Sequence, residues 1–250
     1  MQKARNQIHS LAKGLAILRM FSSKPAVSLS EIASAQFMSA GSAHRYLTTL
    51  YSLGYIKQIP DTKRYQLTPK ILELGFNALK DMNLRKRVLP YLLEVSREFN
   101  ITTACSVLDG AEILYIERVR SAELVNLDLS AGSRLPVYCT GMGKALLAFL
   151  PSELRETLIE KLELRPFTPY TITKREALKK ELEDIRRRGY ATCRQELNLG
   201  LESIAAPIFY NGKVEAAISF NLPNISPSKK NALEKGLVKR LLQITKEVSL

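Results

Sequence analysis

Apolar residues recur at helical spacing at Ile8, Leu11, Leu15, Leu18 and Phe21, which predicts a first helix with one side turned inward. A shorter helix is predicted from Ser28. Its hydroxyl and the Glu31 carboxylate three positions on have the spacing of a capping box, and Leu29, Ile32 and Ala33 form the inner side. Gln36 to Met38 supply a turn. A third helix then starts in the polar run at Ser39 and turns Tyr46, Leu47, Leu50 and Leu53 inward, with Gly54 placed to cap it. The pattern becomes strand-like in Tyr55–Ile59 and Arg64–Leu67, joined by Pro60-Asp-Thr-Lys63. Helix, turn, helix and hairpin predict a winged helix-turn-helix over residues 1–68.

Thr68-Pro69 restarts a helix that is expected to run to about Arg85, with Ile71, Gly75, Ala78 and Met82 on one side. Residues 69–86 are therefore read as a linker helix. Its small residues suit close packing, either on its own domain or against the same helix of a second chain. From residue 87 to 250 the pattern is mixed. Helices are expected around Leu84–Phe99, Thr140–Leu150, Ser152–Leu164, Thr173–Arg188 (a Thr173…Glu176 capping box, Gly189 as stop) and from Ser226-Pro227 to Val248. Strands are expected at Thr102–Leu108, Glu112–Val119, Leu124–Leu129, Tyr190–Gln195, Leu201–Phe209 and Lys213–Phe220, with Asn211-Gly212 as a hairpin turn. Strands joined mostly by turns and bracketed by helices indicate an α+β class with an antiparallel sheet.

Charge sharpens the reading of the first part. The chain of 250 residues carries a formal +13, and residues 1–80 hold eleven Lys/Arg against three Asp/Glu. So basic a small domain suits a polyanion, and double-stranded DNA is the natural one. The outward side of the third helix carries Ser42, His44, Arg45, Thr48 and Thr49. These side chains are short enough to let a helix backbone approach a major groove, and Arg45 reaches a guanine edge or a phosphate. With Ser39 at the helix start and Lys63 and Arg64 in the wing, they are the candidate DNA contacts.

Three cysteines without paired spacing suggest neither disulfides nor a zinc knuckle, and no apolar run nears the ~20 residues a bilayer requires. A soluble protein of the cytoplasm, with no membrane partner, is expected. The two histidines, His9 and His44, both lie in the basic part, so the second domain has no imidazole to activate its serines or cysteines. An enzyme acting on a small organic acid is thus the weaker alternative. A constitutive architectural DNA-binding protein, with no ligand, is a third. Gly141-Met-Gly-Lys144 lacks the glycine and the hydroxyl of a phosphate-binding loop, and neither cofactor nor metal is called for. Thr140-Gly-Met-Gly143 leading into a helix nevertheless offers free N–H groups, those of Met142 and Gly143, and the positive end of a dipole to a carboxylate. The other reading leaves Thr140 as a cap and the glycines as packing residues.

In Ser10–Leu18, Leu29-Ser-Glu-Ile-Ala33, Ala43-His-Arg-Tyr-Leu47, Leu53-Gly-Tyr-Ile56 and Tyr65-Gln-Leu67 the chain resembles the IclR-type bacterial transcription regulators. The resemblance continues through Gly132–Pro136, Thr140–Ala148, Arg188-Gly-Tyr190, Gly200–Ile208 and Ala216–Ser219. It implies a GAF-like effector domain, assembly as a homodimer or dimer of dimers, and operator binding modulated by a small organic acid. Carried over by position, the effector pocket would comprise Leu135, Gly141, Met142, Cys193, Ser203, Ser219 and Asn221, with Arg134 nearby as a possible added charge. Two departures fall in the DNA-reading part: Phe37 stands where such turns usually have glycine, and Gly41 lies inside the recognition helix.

Overall fold

The computed structural model describes residues 7–22, 24–121, 129–223 and 225–250. The chain divides into two compact units, Met1–Asp81 and Met82–Leu250. No helix of the described residues is long and apolar enough to cross a membrane.

In the first unit the elements are α1 (His9–Met20), β1 (Val27–Ser28), α2 (Leu29–Ala35), α3 (Ala40–Ser52), β2 (Ile56–Gln58), β3 (Arg64–Leu67) and α4 (Ile71–Asp81). β2 and β3 form the wing, and the two-residue β1 adds a third antiparallel strand in the order β1-β3-β2. Two residues are too few to show a period, so β1 was not foreseen. Ile17, Phe21, Val27, Ile32, Ala43, Leu47, Leu50 and Ile56 make the core. The capping box is complete: Glu31 N–H donates to Ser28 Oγ at 3.3 Å, and Ser28 N–H donates to Glu31 Oε2 at 2.8 Å. The same carboxylate receives Lys24 Nζ at 2.8 Å and Arg64 at 2.9 Å. Lys24 first, then the Ser28 amide, hold the Glu31 carboxyl down at about 2.

Several inward assignments do not hold within this unit. Leu11, Leu15 and Leu53 are 60%, 54% and 52% exposed, while the buried side of α1 is Ile17 and Phe21. A helical period marks an apolar stripe but not what covers it. Leu53 is the C-cap of α3, and Gly54 follows it at φ +78°. The expected continuous helix over 69–85 is also interrupted. α4 ends at Asp81, and Met82, with φ −72° and ψ 99°, is the N-cap of α5 (Asn83–Phe99).

The second unit continues with β4 (Thr103–Asp109), β5 (Glu112–Val119), β6 (Arg134–Pro136), α6 (Gly141–Phe149), α7 (Ser152–Lys161), α8 (Arg175–Arg188), β7 (Ala191–Arg194), β8 (Glu202–Tyr210), β9 (Lys213–Leu222) and α9 (Pro227–Val248). Six strands form one antiparallel sheet in the order β6-β5-β4-β9-β8-β7. Asn211 and Gly212, at φ 49° and 72°, make the tight β8–β9 turn. α6 lies on one face of the sheet, with α8 packed on it, and α5 and α9 cover the other face. Strand alternation records this: Thr103 Oγ1 donates to Leu92 O of α5 at 2.9 Å, whereas the neighbouring Ala104 belongs to the cluster around α6. The strand expected at Leu124–Leu129 falls largely outside the described residues. The expected Thr173…Glu176 box is absent, because Lys174 is the N-cap of α8 and makes no side-chain cap bond.

α6 is buried from Gly141 to Ala148. A Cβ on Gly143 would lie 2.1 Å from Val137 O, so only glycine permits this approach. The next residue, Lys144, is 1% exposed and pairs with Glu196, itself 6% exposed, with Glu181 at 3.9 Å. Burial pushes the Glu196 carboxyl up against the pull of Lys144. Breaking a buried pair strands the remaining charge, at a cost of about 3–5 kcal/mol. Lys144→Met is therefore expected to destabilise the protein by about that amount in urea titrations, and Lys144→Met/Glu196→Leu by clearly less. Equal losses in the single and double variants would contradict the pairing.

Candidate DNA-reading helix and effector pocket

α3 presents a buried side of Ala43, Leu47 and Leu50 and an exposed side carrying His44, Arg45, Thr48 and Thr49, with Ser42 at its margin. Ser39 is its N-cap: its Oγ accepts from Ser42 N–H at 3.2 Å and lies 3.1 Å from Ser42 Oγ. That cap holds the first turn in which Gly41 sits. Nothing lies within 4 Å of where a Cβ on Gly41 would be, so the bare backbone there faces open space. The Arg45 guanidinium lies 3.5 Å from Ser42 Oγ, and the residue is exposed. Thr49 Oγ1 donates back to Arg45 O at 2.9 Å, and Thr48 Oγ1 lies 3.5 Å from His44 Nδ1.

The wing separates its two candidates. Lys63 is exposed at the hairpin end. Arg64 instead turns inward along the domain, donating to Ala26 O at 2.7 Å and to Glu31 at 2.9 Å. It fastens the wing to the start of α2, and 43% of its side chain remains exposed.

In the second unit a cavity of about 40 Å³ opens between the start of α6 and the sheet, enough for more than one water. Leu135, Gly141, Met142, Cys193, Ser203, Ser219 and Asn221 all line it. Their meeting follows from register. Cys193 pairs with Ser203, and Ser203 with Asn221, giving one cross-strand row over β7, β8 and β9. The next row on that face runs Ala191, Ala205, Ser219, Ala104 and Arg118. Small side chains make the floor, and Gly141 makes the roof. A Cβ there would stand 2.9 Å from Ser203 Oγ and 3.3 Å from Ala205 Cβ.

Arg118 is the one charged side chain among the described residues lining the cavity, and the sequence reading missed it. β4 and β5 shift register between Cys105 and Ser106, which face Glu117 and Tyr115. The extra residue, Ile116, is a bulge that places Tyr115 and Arg118 on one face although they are three apart. Regular alternation would have given that place to Glu117. Arg134, weighed as an added charge, is bound instead to Asp109 and Glu112 at 2.6 and 2.7 Å.

The donors at the start of α6 also differ from expectation. The Gly143 N–H is taken by Thr140 Oγ1 at 3.2 Å, so Thr140 is a cap and Gly143 a packing residue. The N–H groups of Gly141 and Met142 have no acceptor among the described residues, and both residues face the cavity. Burial pushes the thiols of Cys139 and Cys193 up to about 12, and the Cys193 thiol donates to Cys139 O at 3.3 Å. Neither is a thiolate at neutral pH, so the cavity wall offers no activated nucleophile there.

Comparison with known proteins agrees with both halves. Residues 10–60 match the IclR helix-turn-helix domain, and residues 76–250 match the bacterial transcriptional regulator IclR C-terminal domain. The HTH-type transcriptional regulator KdgR of Escherichia coli (strain K12) is 31% identical over 94% of this chain and 89% of its own length. The crystal structure of Thermotoga maritima IclR superposes with a TM-score of 0.70 at 30% identity, covering 98% of this chain and 100% of that one. An IclR homolog from Microbacterium hydrocarbonoxydans, solved in complex with 4-hydroxybenzoate, gives a TM-score of 0.79 at 26% identity over 96% and 97% of the two chains. With a winged helix of this geometry in one unit and a lined cavity in the other, the chain belongs to the IclR family of bacterial transcription regulators, DNA-binding proteins with a C-terminal effector domain.

Proposed function

We propose that this protein is a cytoplasmic, non-enzymatic regulator that reads an operator through α3 and Lys63 and releases or tightens its grip when a small organic acid fills the cavity. One observation carries the effector class. Among the described residues the cavity joins one cation, Arg118, whose guanidinium also donates to Leu129 O at 2.8 Å, to two unaccepted N–H groups at the positive end of α6, with Ser203, Ser219 and Asn221 on the facing strands. A carboxylate accepts from free N–H donors at a helix start and pairs with a cation. That a family member holds 4-hydroxybenzoate supports the same ligand class.

The pocket strand is tied to the start of α5. Glu117 accepts Arg85 Nε at 2.7 Å with one oxygen and the Arg118 main-chain N–H at 3.0 Å with the other. A ligand drawn to Arg118 therefore acts on the residue that anchors the first turn of α5, next to the Met82 break. A coupling of about 1–3 kcal/mol along this route suffices for switching.

Leu11, Leu15, Leu53 and Leu74 border an apolar groove in the first unit, and Leu72 and Phe76 of α4 are 50% and 62% exposed. A second copy of the chain is the occupant we assign to this surface, since a basic two-fold dimer reads a pseudo-palindrome with half-sites about one helical turn, or a multiple of it, apart.

Three outcomes are expected. Arg45→Ala weakens binding to the selected operator by about 1–3 kcal/mol in anisotropy titrations if the guanidinium reads a base, and unchanged affinity removes it from the interface. Gly141→Ala, whose methyl enters the cavity roof, lowers affinity at least about tenfold for whichever aromatic, keto or sugar acid binds the parent by calorimetry, while operator binding persists. Equal affinity would move the pocket elsewhere. Leu15→Glu shifts the full chain toward monomer in sedimentation velocity, and a parent that is itself monomeric would refute the assigned occupant.

A further inference from the structure

The turn between α2 and α3 holds a side chain that neither the core nor the wing explains. Phe37 is 95% exposed and its φ is +48°. It occupies the position just past the C-cap of α2, Gln36, where the left-handed conformation is the usual way to end a helix and glycine the usual residue. For a bulky L-residue that conformation carries strain from the Cβ. The turn itself is well determined. Phe37 N–H donates to Ser34 O at 3.3 Å and Met38 N–H to Ala33 O at 3.0 Å, and Met38 packs against the core. With Met38 fixed inward, the ring of Phe37 is directed into solvent beside Ser39, the start of the recognition helix.

The fold therefore gains nothing from an aromatic ring here: glycine would relieve the strain, and no apolar area is buried. Strained residues that the structure holds in place belong to functional sites more often than elsewhere. The N-terminal residues of a recognition helix are those that meet base edges. Base edges in the major groove offer donors and acceptors that a phenyl ring cannot satisfy. The apolar exception is the C5-methyl group of thymine.

We propose that Phe37 is a DNA-reading residue whose ring packs against a thymine methyl group at the edge of each half-site. The proposal rests on operator binding by α3 and adds a contact on the turn before it. It predicts a preference that carries no charge, so it alters sequence choice without altering salt dependence.

The test begins with duplexes enriched by the wild-type full chain from a random pool. Each thymine is then replaced by uracil, which removes only the methyl. Wild type is expected to lose about fourfold in affinity at one thymine per half-site. Phe37→Gly is expected to bind the unmodified duplex about tenfold more weakly, to be indifferent to uracil at that position, and to keep the parent's salt slope. Its melting temperature should be unchanged or higher, since strain is released. Undiminished affinity of Phe37→Gly, or the same uracil sensitivity as wild type, overturns the proposal. So does a fall in melting temperature, which would make the ring a folding contact, or a change in mass in solution, which would make it a contact between copies. A wild-type chain that enriches no sequence overturns the operator reading itself and this proposal with it.

Discussion

The second unit depends on how closely α6 lies against its sheet. Every residue from Gly141 to Ala148 is buried, and two devices make that possible. Gly143 lets the helix backbone approach Val137, where any Cβ would collide. Lys144 enters the interior with its charge answered by Glu196, which arrives from the loop after β7. Because the Gly143 amide is already capped by Thr140, the remaining donors of the first turn, Gly141 and Met142, are the ones left for the cavity. The pocket is thus a by-product of packing: where the helix starts, small residues on the floor leave a space between helix and sheet.

The sheet contributes through register. One row places Cys193, Ser203 and Asn221 side by side on three strands, and the next aligns Ser219, Ala104 and Arg118. A bulge of one residue at Ile116 decides the sign of the site. Without it, the carboxylate of Glu117 would face the cavity, and the guanidinium of Arg118 would face α5. The same bulge puts Glu117 where it can hold Arg85, so the charge that suits an acid and the tie to α5 have a common cause.

In the winged helix the comparable hub is Glu31. Its carboxylate closes the capping box of α2 and draws in Lys24 and Arg64. This binding holds the wing's β3 to the start of α2, and it engages one of the wing's two candidate cations. Basic composition says that a domain suits a polyanion. It does not say which cations are already engaged.

Much of the architecture was legible in the residues. Ser28 and Glu31 announce the capping box, Asn211-Gly212 the hairpin, and Gly189 at φ +83° the end of α8, because each is a local choice whose energetics involve only neighbours in the chain. The alternation of Ser219 and Asn221 on one strand face was readable for the same reason. What the sequence did not disclose depends on contacts distant in the chain. The break at Met82, the exposure of Leu11 and Leu15, the engagement of Arg64 and the arrival of Arg118 in the cavity are settled by packing partners, not by period. A bulge leaves no mark in hydrophobic alternation. The sequence by itself determined a basic winged helix joined to an antiparallel α+β domain. Tertiary structure decided which donors, and which arginine, face the cavity.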